Sequence, residues 1–82
     1  MRVRVPRDVY GRDFADHLIR RWEFVELRQT GSHIILRTAA QPAGLTISVP
    51  ARKPLRVGTL SGLLDEVAVH KNVSVEAILH KL

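Results

Sequence analysis

His33 follows Gly31 and Ser32 and opens the apolar run Ile34-Ile35-Leu36. An imidazole ordinarily titrates at about pH 6.5, so it can both take and give a proton near neutral pH. Arg28 precedes it and Arg37 follows it. A guanidinium grips phosphate through paired, charge-assisted N–H bonds. Cutting RNA needs a base for the 2′-hydroxyl and an acid for the leaving oxygen. A positioned imidazole serves in either role and contributes about 10²–10⁴-fold. Nearby cations or backbone N–H groups stabilise the charge that develops on phosphorus. By itself a histidine at the start of a strand is ordinary, so the surrounding pattern has to decide.

Charge supplies the first part of that pattern. No Asp or Glu occurs between Leu27 and Leu64. The same stretch holds Arg28, Arg37, Arg52, Lys53 and Arg56, which together equal the net charge of +5. Positive charge gathered in one segment suggests a polyanionic partner.

Two further motifs lie near this segment. Gly58-Thr59-Leu60 opens a helical pattern, and free backbone N–H groups at a helix start can seat a phosphate. Arg52, Lys53 and Arg56 just before it would reinforce that seat, with Thr59 as the N-cap. Ser32 has no acidic partner nearby that would make it a nucleophile, so it reads as a turn hydroxyl within reach of phosphate. Trp22 and Phe24 have the chemistry to stack on bases, but their place at a helix-strand junction favours the core. His17, His70 and His80 show no metal-ligand spacing, and cysteine is absent. No metal or other cofactor is therefore expected.

These residues need elements to hold them. Residues 11–21 put Phe14, Leu18 and Ile19 on one helical face, with Arg12, Asp16 and Arg20 opposite. Residues 24–29 alternate Phe24, Glu26 and Arg28 against Val25, Leu27 and Gln29, which predicts a strand. Thr30-Gly31 makes a tight turn. Residues 33–38 form a second strand with His33, Ile35 and Arg37 on one face. Residues 45–49 form a third, ended by Pro50. Leu60, Leu63, Leu64 and Val67 share one face of a following helix. Asn72 and Ser74 break it, and Ser74 caps a last helix whose stripe is Val75, Ile78, Leu79 and Leu82. The expected architecture is α+β, in the order α-β-β-β-α-α, with an antiparallel three-stranded sheet and helices on one face. Eighty-two residues make a single domain. No apolar run reaches the ~18 residues of a membrane span, so a cytoplasmic protein with no membrane partner is expected.

The string from Phe24 to His33, with its Arg28-Gln29-Thr30-Gly31-Ser32-His33 ending, resembles the signature of HicA-type (YcfA-like) mRNA interferase toxins. Leu45-Thr46-Ile47-Ser48-Val49-Pro50 resembles the family's third strand, and Val57-Gly58-Thr59-Leu60 its helix start. Val5-Pro6-Arg7 and Gly11-Arg12-Asp13-Phe14 are similar to its opening. The motifs recur in order along nearly the whole chain. Where the family often has a glycine before Phe24, this chain has Glu23. Where it often has a second histidine after the first, this chain has Ile34.

The resemblance implies a double-stranded-RNA-binding-domain-like fold and a metal-independent ribonuclease acting on mRNA. His33 would be the catalytic residue; the charge pattern, the turn and the helix start make Arg28, Ser32, Arg37, Arg52, Lys53, Arg56 and Thr59 the expected RNA contacts. It further implies a HicB-type antitoxin as protein partner and leaves room for a homodimer. Two other readings stand beside it: an RNA-binding module of the same fold that does not cut, and a basic protein-interaction domain.

Overall fold

The computed structural model describes residues 4–39, 44–51 and 54–82. Arg52 and Lys53 lie outside the described residues. The element order is α1 (Gly11–Arg21), β1 (Phe24–Thr30), β2 (His33–Thr38), β3 (Thr46–Pro50), α2 (Val57–Lys71) and α3 (Val75–Leu79). The strands form one antiparallel sheet in the order β1-β2-β3. This is the expected α-β-β-β-α-α, α+β architecture. Among the described residues, no helix is long and apolar enough to cross a membrane.

The core lies on one side of the sheet. Ile34 and Leu36 of β2 and Ile47 and Val49 of β3 are buried, as the period-two alternation requires. They meet Phe14 and Leu18 of α1, Leu60, Leu64 and Val67 of α2, and Ile78 of α3 in one apolar cluster. Phe24 belongs to the same core at 2% exposure, and Trp22 packs against its edge. Phe24 is thus unavailable for base stacking.

α1 is fixed at its N-terminal end. Its first residue, Gly11, is buried, and a Cβ there would fall on the Pro50 carbonyl. The chain needs glycine here so that α1 can start against the end of β3. Arg12 of α1 then donates to Glu26 of β1 at 2.8 Å and to Asp16 at 2.7 Å. Those bonds, Glu26 first and Asp16 second, hold the guanidinium still more firmly protonated than an arginine usually is.

Some boundaries differ from the sequence expectation. Thr59 is not the N-cap of α2; the helix starts at Val57, with Arg56 in the cap position and no side-chain cap bond. The cause lies upstream. Tyr10 bridges to Pro54, and the Leu55 amide donates to the Val9 carbonyl at 2.6 Å. That anchor ends the loop early, and the helix begins as soon as the chain is free of it. β3 runs from Thr46 to Pro50, one residue later than its alternation suggests. Leu45 is spent on joining the loop to Thr38, whose Oγ1 accepts its amide proton at 2.9 Å. Leu82 lies beyond α3, which stops at Leu79.

The break between α2 and α3 has a clear cause. Asn72 takes the left-handed conformation at φ +56°. The Val73 amide returns to the Ala68 carbonyl and the Asn72 amide to that of Val69. This pair of bonds closes a helix end in the Schellman manner. Ser74 then caps α3, accepting from the Ala77 amide at 3.1 Å.

Candidate nucleic-acid interface

Among the described residues, no helix covers the second face of the sheet, and that face carries His33. β1 and β2 are joined by the two-residue turn Gly31-Ser32. Gly31 sits at φ +52°, a conformation that glycine takes at no steric cost. The turn pairs Thr30 directly with His33. On the other side His33 pairs with Pro50 of β3, and the Ala51 amide donates to the Ser32 carbonyl at 2.7 Å. His33 therefore sits at the end of the central strand, flanked by both neighbours and exposed. Ser32 Oγ lies 3.2 Å from His33 Nδ1. If the hydroxyl donates, the ring proton is on Nε2; if Nδ1–H donates, Nε2 is a free base. Either way the bond orients the ring and leaves Nε2 for chemistry.

The register assembles the rest of the face. Cross-strand partners share a face of the sheet. Val25 pairs with Arg37 and Arg37 with Thr46; Arg28 pairs with Ile35 and Ile35 with Ser48. Together with the Thr30-His33-Pro50 row, these residues form a surface with two arginines, one imidazole, three hydroxyls and no carboxylate. Arg28 is the diagonal neighbour of both His33 and Arg37, at about 7–8 Å between backbones. His33 and Arg37 stand about 13 Å apart along β2, at ~3.3 Å per residue.

Simple alternation puts Arg28 on the same face as Phe24 and Glu26. The structure contradicts that placement. A β-bulge shifts the register between Glu26 and Arg28, so Leu27 is one residue more than β2 can pair. After an extra residue the faces exchange. Glu26 turns toward α1, where it meets Arg12, and Arg28 turns onto the His33 face. Leu27, unpaired, is 53% exposed, and Val25 on the open face is 45% exposed.

Arg56 and Thr59 lie next to this surface. With Pro50, Pro54 and Leu55 they line a cavity of about 180 Å³. Pro50 is the cross-strand partner of His33, so the cavity adjoins the histidine end of the sheet. The first turn of α2 carries backbone N–H groups with no side-chain cap there. Among the described residues, Arg28, Arg37 and Arg56 take part in no ion pair.

The remaining histidines fall elsewhere. His17 is buried, and its Nε2 lies 2.6 Å from the Ile78 carbonyl. His70 is half-buried at the end of α2, and His80 is exposed after α3. Thr30 and Ser48 belong to the His33 face although no motif marks them. Only the pairing of β1 and β3 around His33 reveals them.

No protein-family model matches the chain, and neither a curated protein nor a solved structure matches it.

Proposed function

We propose that the protein is an endoribonuclease of the mRNA interferase kind, the toxin of a toxin-antitoxin pair, with His33 as its acid-base residue. The observation that carries this reading is the carboxylate-free sheet face on which His33, Arg28 and Arg37 stand together. RNA phosphates are held by Arg28 and Arg37, by Ser32 at the turn, and by Arg56 and Thr59 beside Pro50. Arg52 and Lys53 extend the basic surface in sequence.

His33 Nε2 takes the proton from a 2′-hydroxyl. The 2′-oxygen attacks phosphorus, the bond to the 5′-oxygen breaks, and a 2′,3′-cyclic phosphate forms. The leaving 5′-oxygen takes its proton from water. The arginines stabilise the charge on the non-bridging oxygens. No step of this chemistry requires a metal. A HicB-type antitoxin, acting as partner, covers the same face.

One observation favours the runner-up, an RNA-binding module that does not cut. Among the described residues of the face, His33 has no second imidazole or carboxylate beside it. Expression of wild-type protein and His33→Ala in growing cells separates the two. The proposal expects growth arrest and fragmented mRNA with the wild type only. Equal toxicity from both proteins overturns the catalytic role.

A further inference from the structure

A second basic cleft lies on the helical side of the molecule, away from the sheet face. It is lined by His17, Arg20 and Arg21 of α1 and by Lys81 beyond α3, with a volume of about 450 Å³. Among the described residues, no Asp or Glu side chain lines it. The acids that flank Arg20 and Arg21 in sequence are engaged elsewhere: Asp16 with Arg12, and Glu23 with Lys71 at 3.6 Å. Among the described residues, Arg20, Arg21 and Lys81 take part in no ion pair.

Two arginines in the last turn of α1 are explained in part by the helix dipole, which favours cations there. Lys81 is not. It comes from a different element and holds the left-handed conformation at φ +69°, which is unfavourable for a residue with a Cβ. The chain turns at that point and brings a third cation to a cleft that already has two. Like charges gathered without a counter-charge repel one another and raise the local concentration of anions. His17 forms the inner wall. A carbonyl can only accept, so His17 Nε2 must carry a proton for its bond to Ile78. That bond ties α1 to α3 and holds the two sides of the cleft together.

We propose that this cleft is a second phosphate-binding site, formed by Arg20, Arg21 and Lys81 against His17. Its volume is several times that of a lone phosphate and falls in the range of ordinary ligand pockets, about 300–1,000 Å³. That leaves room for a phosphate carried by something larger, a nucleotide or a polynucleotide backbone. The site is independent of the proposed ribonuclease reading, because it shares no residue with the sheet face.

The test is a nitrogen-edited NMR titration of the whole protein with inorganic phosphate, with a nucleoside monophosphate and with a short single-stranded RNA, each against chloride at matched ionic strength. Phosphate should shift the Arg20 and Arg21 Nε–H signals and the His17 ring, and chloride should not. Arg20→Gln with Arg21→Gln should weaken the response about tenfold or more for each arginine removed, as loss of a charge-assisted bond predicts. Lys81→Gln should weaken it too, which an ordinary helix end does not explain. Arg28→Gln with Arg37→Gln should leave it intact. Saturation by RNA at lower phosphate concentration than by the monophosphate identifies a backbone; the reverse identifies a free nucleotide. Shifts no larger than those from chloride overturn the site. So do shifts that survive in the double arginine variant with an otherwise unchanged amide spectrum.

Discussion

Arg28 stands directly across the sheet from Ile35, and so shares the face that carries His33 and Arg37. That placement requires that Leu27 stay out of the ladder, as the unpaired residue of the bulge. The same register shift leaves Glu26 facing α1, bonded to Arg12, and keeps a carboxylate off the His33 face. One extra residue thus separates the charges of β1 onto opposite sides.

Deleting Leu27 tests this account of β1. Without it Arg28 follows Glu26 directly, and every remaining pair from Phe24–Thr38 to Thr30–His33 persists. The shortened protein should fold with a stability change of about 1 kcal/mol or less and should bind RNA like the parent. Urea unfolding and a binding titration check both. Loss of RNA binding as severe as that of Arg28→Ala would mean that the extra residue, not the register, positions the arginine.

Arg28→Ala and Arg37→Ala should each weaken binding to single-stranded RNA without unfolding the protein, because both side chains are exposed. Each should also flatten the dependence of log K on log salt concentration by about 0.7, the value for one lost phosphate contact on a single strand. An unchanged slope would place those arginines off the RNA.

Gly11→Ala should be severe despite adding a single methyl group. The new Cβ meets the Pro50 carbonyl, which is backbone and cannot swing away. Overpacking of this kind costs about 1–3 kcal/mol or more. An 82-residue domain has only on the order of 4–12 kcal/mol to lose. Thermal unfolding should show a clear drop, and because Pro50 is the partner of His33, RNA affinity should fall with it. Wild-type stability in Gly11→Ala would contradict the close approach of α1 to β3.

Glu23 holds φ +59°, a backbone conformation easy for glycine and costly for other residues. Glycine there should relieve that strain while loosening the unfolded chain, two effects of about 1 kcal/mol that oppose each other. The ion pair to Lys71 adds little, since Glu23 is exposed. Glu23→Gly should therefore stay close to the parent in urea, whereas the β-branched Glu23→Val should lose about 1–2 kcal/mol. Equal stability of the two variants would show that the turn does not hold this conformation.

Much of this was legible in the sequence for identifiable reasons. The alternation of residues 33–38 places His33 and Arg37 on one face, and the structure keeps them there. Ser74 reads as a cap and is one. Glycine at position 31 marks the turn that starts β2. The bulge at Leu27 was not legible, because nothing in a run of exposed residues marks which of them goes unpaired. The start of α2 was misplaced because its limit is set by Val9 and Tyr10, far away in sequence. The adjacency of Pro50, Arg56 and Thr59 likewise arises only from tertiary contact.

The most direct test of His33 is cleavage of a defined RNA by purified protein in the presence of EDTA, with analysis of the product ends. Wild-type protein should yield 2′,3′-cyclic phosphate and 5′-hydroxyl ends, and should not cut at a site whose 2′-hydroxyl is replaced by hydrogen. His33→Ala should bind the RNA and leave it whole. Cleavage by His33→Ala at the wild-type rate, or cleavage of the deoxy-substituted site, would contradict the account.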